Sequence, residues 1–293
     1  MNLHITIDSA SNYRRLDEVN GVKLDGCVVP LKICTDEKEF IDDADLDIND
    51  MVSYLEGTKL ASHSACPGID EWLESFGEHE YVIGITLASI LSGSYNACRV
   101  AAEQYMEEHE GRRVYVLDTT AIGPVEKLCI EYIANKEKAD PEALNFKSAE
   151  EFDSFCKELD EYCHRNTKIG FALKSLKNLA NNGRINKTVA KIAETLKIHI
   201  VGDFSETGVL QPKNKVRGDD KTLRTLVDAM KEAGYKGGRF IIDHCLAVED
   251  AENLKNLILK EFPNADITIA ETTGLCTFYA ERGGLVLGYE IEG

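Results

Sequence analysis

Tyr81-Val82-Ile83-Gly84-Ile85-Thr86-Leu87-Ala88-Ser89-Ile90-Leu91-Ser92-Gly93-Ser94-Tyr95 sets the pattern for the rest of the chain. The β-branched and aliphatic run up to Leu87 has the composition of a strand buried on both faces in a parallel sheet. Beyond it, Tyr95, Cys98, Ala101, Ala102 and Tyr105 recur at helical spacing, which predicts a helix from Tyr95 to Glu108. Three serines and a glycine therefore stand where a strand hands over to a helix. Free N–H groups and the positive helix end make such a junction a cradle for an anion. Gly93 permits close approach to the backbone, and Ser89, Ser92 and Ser94 add donors without charge. A serine N-cap explains the same residues.

The same alternation extends in both directions. Leu3–Ile7 reads as a strand ending at Asp8-Ser9, and Cys27–Ile33 as a second buried strand. Ile48–Leu55 reads as a helix. Leu60-Ala61-Ser62-His63-Ser64-Ala65-Cys66-Pro67-Gly68 should run extended into a helix that continues through Phe76, because the residue before a proline avoids the helical region. His63 and Ser64 are adjacent in that extended segment, so their side chains point to opposite faces and make a poor base and nucleophile. Arg113–Leu117 is a strand ending at Asp118-Thr119-Thr120, followed by a helix over Ile122–Ile133. Strands alternating with helices predict a parallel sheet, with ligands beyond the strands' carboxyl ends. Asp8-Ser9, Ser64, Ser92 and Asp118-Thr119 should then share one edge.

The polar stretch Asn135–Glu150, which contains Pro141, marks a domain boundary and divides the chain into 1–148 and 149–293. The second part reads as a smaller mixed α/β domain. It has helices over Glu151–Arg165, Leu176–Leu179, Lys187–Leu196, Lys221–Ala233 and Glu249–Phe262. Its strands are Lys168–Leu173, Ile198–Val201, Arg239–Ile242, Ile267–Ala270 and Leu285–Ile291, with a hairpin turn at Thr207-Gly208. The fold class is thus two-domain α/β, a parallel sheet layered with helices followed by a smaller mixed unit.

The chain has 293 residues, and 33 basic against 51 acidic residues give a net charge of −18. That balance argues against nucleic acid or an anionic membrane surface as partner. Nine cysteines, with no C-x-x-C pair and no Cys/His cluster, indicate reduced thiols rather than a disulfide framework or a metal site. No signal peptide and no apolar run long enough to span a bilayer are visible, so a cytoplasmic location is expected.

With these stretches laid out, the sequence resembles the DegV family of bacterial fatty-acid-binding proteins. Leu91-Ser92-Gly93-Ser94-Tyr95-Asn96-Ala97 is similar to the family's Leu-Ser-Gly-Thr-Tyr-x-x-Ala run, and Ser64-Ala65-Cys66-Pro67 to its Thr-Ser-x-Pro motif. Ile5-Thr6-Ile7-Asp8-Ser9, Val116-Leu117-Asp118-Thr119, Gly183-Arg184-Ile185 and Lys215-Val216-Arg217 follow in the family order. The resemblance implies a long-chain fatty acid in an apolar tunnel, its carboxyl held by Ser64 and Ser92 with Gly93, Ser94 and helix-start N–H groups. It also implies headgroup or partner contacts at Arg184, Arg217 and His244, and a partner kinase that makes acyl phosphate for phospholipid synthesis. No cofactor or metal is implied, and the chain itself would be a carrier rather than an enzyme. One departure is the family's C-terminal His-x-Gly-Pro-Gly motif. Tyr279-Ala280-Glu281-Arg282-Gly283-Gly284 stands there without a histidine, which weakens the expectation of kinase coupling. Two other functions remain open on the residues: a serine-dependent lipid hydrolase using Asp243-His244, and an interaction module without ligand. The hydrolase lacks a G-x-S-x-G elbow.

Overall fold

The computed structural model describes residues 2–291. The first half runs β1 (Leu3–Asp8), β2 (Glu18–Val19), β3 (Val22–Lys23), β4 (Gly26–Val29), β5 (Lys32–Thr35), β6 (Glu39–Ile41), α1 (Ile48–Gly57) and β7 (Ser62–Ala65). It continues with α2 (Ile69–Phe76), β8 (Tyr81–Thr86), α3 (Ser94–Glu108), β9 (Arg113–Asp118), α4 (Pro124–Ala139) and α5 (Ala149–Glu161). β4, β1, β8 and β9 form, in that order, a parallel four-stranded sheet, as the strand-helix alternation predicts.

Alternate residues of β8 serve the two faces of this sheet. Val82 packs outward with Trp72, Phe76, Cys98 and Tyr105 of α2 and α3. Ile83 and Ile85 turn inward to a larger core. Gly84 fits the close approach of α3, since a Cβ there would lie 2.6 Å from Cys98 Sγ.

The expected single strand Cys27–Ile33 is two strands in different sheets. Pro30 has no N–H to give a ladder, so the parallel pairing stops at Val29. The chain then turns, and β5 pairs antiparallel with β6 and β7 in a separate three-stranded sheet. Leu31, in the turn, is buried, and its N–H donates to Ser9 Oγ (3.0 Å).

The second half comprises β10 (Thr167–Leu173), α6 (Lys177–Asn181), α7 (Lys187–Leu196), β11 (His199–Phe204), β12 (Leu210–Val216), α8 (Asp219–Glu232) and β13 (Arg239–His244). It ends with α9 (Val248–Glu261), β14 (Asp266–Glu271), α10 (Gly274–Ala280) and β15 (Leu285–Glu290). The six strands lie in the order β12-β11-β10-β15-β13-β14, antiparallel except for β13 with β14. Helices α8 and α9 cover one face through Leu226, Met230, Leu254 and Ile258. The other face, with Phe171, Leu173 and Val286, joins the same core as Ile83 and Ile85.

Helix α4 fills the space between the two sheets. It is buried nearly all round, including Glu126 and Lys127, and its first turn rests on β15, where a Cβ at Gly288 would lie 2.6 Å from Pro124. Among the described residues no helix is long and apolar enough to cross a membrane.

Candidate functional site

At the carboxyl ends of β1 and β8 an apolar cleft opens between the two sheets, with about 660 Å³ of empty space counting its mouth. Leu31, Leu87 and Ile122 supply one wall from the turns beside the parallel sheet. Phe171, Leu173 and Val286 supply the other from the six-stranded sheet, and α10 closes the floor with Leu275, Cys276, Tyr279 and Ala280. Only four lining residues carry a nitrogen or hydroxyl on the side chain: Ser64, Ser92, Arg184 and Tyr279.

The two serine-bearing turns lie against each other, and a Cβ on Gly93 would meet Cys66 Sγ at 3.0 Å. Ser64, on β7, shares a hydrogen bond of 2.7 Å with the Tyr279 hydroxyl. Ser92 Oγ accepts from Ser94 N (3.2 Å), a bond that steadies the turn before α3, while the side chain lines the cleft. A hydroxyl that accepts in this way still has a proton to donate. Arg184 Nε donates to Leu91 O (2.6 Å), holding a guanidinium at the end of the cleft where the serines stand. Ser92 thus steadies the turn before α3 and also borders the cleft.

Ser94 turns the other way. Its hydroxyl donates to Asp8 Oδ2 (2.7 Å), which also accepts from Leu87 N (3.1 Å). Asp8 is fully buried, and desolvation outweighs these donors, pushing its carboxyl up to about 6. Glu126 lies against it in α4 and is pushed well above the usual carboxylate range by burial and by Asp8. Gly93 stands behind the cleft as the N-cap residue of α3. Asp118 Oδ1 accepts from Ser89 N and Thr120 N, so the β9 end shapes the turns and does not line the cleft.

Arg217 and His244 also lie away from the cleft. Arg217 is exposed and donates to Leu196 O (2.8 Å). His244 is buried at the end of β13, where its Nδ1 accepts from Ala247 N (3.3 Å). Its neighbour Asp243 accepts from Asn12 Nδ2 (2.6 Å) and Lys127 Nζ (2.7 Å). Asp243 thus joins the two halves of the chain and does not orient an imidazole toward either serine.

Helix α10 escapes a reading by periodicity, because seven residues make under two turns. Its placement comes from polar anchors: Asp42 accepts from Gly274 N, Leu275 N (2.8 Å) and Thr273 Oγ1. Thr273 N in turn donates to Asn12 Oδ1 (2.9 Å). Asp42 and Asn12 therefore set the position of Tyr279. The short apolar run Leu275–Ala280 was the sequence signal available for it.

A family model described as an uncharacterised protein family, DegV, COG1307, matches residues 2–292. The chain belongs to the DegV family. A DegV domain-containing protein of Streptococcus pneumoniae is 35% identical over 292 residues, covering 100% of both chains. The DegV fold is equally close in solved structures. The fatty acid kinase B3 protein of S. pneumoniae, loaded with linoleic acid, superposes with a TM-score of 0.91 at 34% identity and 100% coverage of both chains. A DegV family protein of Eubacterium eligens, loaded with heptadecanoic acid, gives 0.90 at 36% identity, covering 99% of this chain and 100% of that one.

Proposed function

We propose that this DegV protein binds a long-chain fatty acid in the cleft, alkyl chain along the apolar walls and carboxylate at the Ser64–Tyr279 pair, Ser92 and Arg184. The observation that carries this is the distribution of polarity: an apolar cleft with its hydroxyls and single guanidinium gathered at one end. Burying about 14 methylenes contributes roughly 11 kcal/mol gross, at about 0.8 kcal/mol each. Immobilising a flexible chain offsets much of that. A carboxylate at the polar end keeps hydrogen-bonding partners, which a bare buried charge would lack. The fatty acids carried by two relatives of similar length support the same ligand class.

The chain acts here as a carrier without a cofactor, in the cytoplasm, with chemistry left to a partner kinase. In this proposal residues 1–148 bring the headgroup motifs and 149–293 close over the tunnel, Gly93 and Ser94 support the turn, and the exposed Arg217 faces a partner, whereas His244 is buried away from both partner and headgroup. Glu281 and Arg282 occupy the region of the missing histidine. Glu281 accepts from Asn178 N (3.1 Å) and Arg282 pairs with Glu56, so neither side chain faces the apolar cleft. Kinase turnover is accordingly expected to be poor unless a histidine is introduced at position 280 or 281.

Native mass spectrometry of freshly purified protein tests the carrier. A co-purified long-chain fatty acid, released on denaturation, is expected. A covalent acyl-serine would replace the carrier by a hydrolase, and a bare protein that also fails to take up added fatty acid would sink the proposal.

A further inference from the structure

At the opposite, amino-terminal end of the parallel sheet, three donor residues converge from distant parts of the chain. His4 opens β1, Asp25 precedes β4, and His79 lies in the loop between α2 and β8. One donor atom from each falls within a 4.8 Å circle. The imidazoles are stacked, 4.1 Å between centroids and 4° from parallel, with both Nδ1 atoms turned to the Asp25 carboxylate. His4 Nδ1 is 2.9 Å from Asp25 Oδ1, and His79 Nδ1 is 3.6 Å from Oδ2.

The partners of His4 expose what this arrangement lacks. Its Nε2 lies 3.0 Å from Ser75 O, and its Nδ1 faces a carboxylate, so both ring nitrogens meet acceptors. A neutral imidazole has one N–H and satisfies one of them. If Nε2 donates to the Ser75 carbonyl, the Nδ1 lone pair points at an oxygen lone pair, and that contact calls for either a second ring proton or a metal ion. A ring N–H held by a backbone carbonyl, with the other nitrogen bare, is also the usual state of a metal-ligating histidine. Arg112 adds positive charge on the same side but is held by Glu78.

We propose that His4, Asp25 and His79 form a binding site for one divalent ion of the zinc class, with water in the remaining position. Two imidazoles and a carboxylate suit zinc and its late first-row neighbours better than magnesium or calcium, which prefer all-oxygen sites. Bonds of about 2.0–2.1 Å set tetrahedral donors roughly 3.3 Å apart, so the ion requires His79 to leave its parallel stack on His4 and bring its Nδ1 lone pair into line. His4 is buried in β1, whereas the Asp25 and His79 side chains are 54% and 33% exposed and lie in loops that can move toward it. Cys27 Sγ donates to Ser75 O (3.6 Å) and lies 3.9 Å from His4 Nε2, on the ring edge away from Asp25, and so stands outside the donor set. The ion would tie β1 to two loops without touching the cleft.

The test uses the untagged full chain, stripped with chelator and kept reduced in a non-chelating buffer. Zinc chloride is titrated in competition with a chromophoric chelator. One saturable site is expected, with the thermal midpoint raised by about 5 °C at saturating zinc. His79→Gln and Asp25→Asn should each weaken binding at least about 100-fold. Cys66→Ser, which removes the exposed thiol, should leave it unchanged. Cobalt in place of zinc should give d–d bands without thiolate charge transfer. Absence of a saturable site, binding retained in both His79→Gln and Asp25→Asn, or binding lost in Cys66→Ser would each overturn the assignment.

Discussion

The apolar cleft and the polar layer directly beneath it are built from the same strand ends, yet they treat polar groups in opposite ways. In the cleft, four polar side chains stand among hydrocarbon and keep hydrogen-bonding capacity toward an open volume. In the layer below, Asp8, Asp42, Glu126, Lys127 and Asp243 are all buried, and each has partners in the protein. Ser92 and Ser94, two residues apart, fall on different sides of that division. The lesson is that a hydroxyl at a strand-to-helix junction binds ligand only where its neighbours leave it an unfilled direction. Elsewhere it is spent on holding the backbone that makes the site.

If the layer is structural, breaking it should cost stability above all. Asp243→Ala strands the Lys127 ammonium, 9% exposed on its side chain, without its carboxylate. A loss of about 3–5 kcal/mol in urea unfolding is expected, as for other buried pairs that lose one member. A loss below about 1 kcal/mol would erase the contrast with the cleft.

Asp8 sharpens the comparison through pH. Its folded-state value, about 6, lies above the ordinary 3.8. Between those values the folded protein keeps a proton that the unfolded chain has released, so this group's contribution to stability falls as pH rises. The fall is complete above about pH 6 and amounts to about 3 kcal/mol. Asp8→Asn removes the titration, so its stability relative to the parent should climb by that amount between pH 3.5 and 7. A flat difference across the range would show that Asp8 ionises normally.

The cleft residues should behave in reverse. Ser64→Ala with Ser92→Ala is expected to weaken binding of a fluorescent fatty acid by about 1–3 kcal/mol per lost partner. Both hydroxyls border the cleft rather than the core, so unfolding should move by less than about 1 kcal/mol. Unchanged affinity would remove both serines from the ligand's carboxyl end.

These differences set how far the sequence could be read. Runs such as Tyr81–Thr86 and Arg239–His244 declare themselves because burial on both faces needs continuous apolar residues. Ser64 and Ser92 could be brought to one edge from the strand-helix alternation, whereas Arg184 joined them only through the family resemblance. Position by position, Ser94 looks as good a ligand as Ser92, and only the path of the turn sends it to Asp8. The strand break at Pro30 was written in the residue type and was outweighed by the aliphatic residues around it. Helix α10 had too few turns to show a period. His4, Asp25 and His79 are brought together by sheet order, which no local spacing reveals.

The place of β15 bears on how the molecule comes into being. It is the last of the six strands to be synthesised, yet it lies between β10 and β13 near the middle of their sheet, with α4 resting on it. Until it emerges, the nascent chain holds two separated sheet fragments and a helix with one apolar side bare. Pairings this distant along the chain close slowly, and unpaired strand edges invite wrong partners meanwhile. A chain cut before Leu285 would therefore be more than a shortened protein: it would have a sheet without its keystone and a cleft with a gap in its wall.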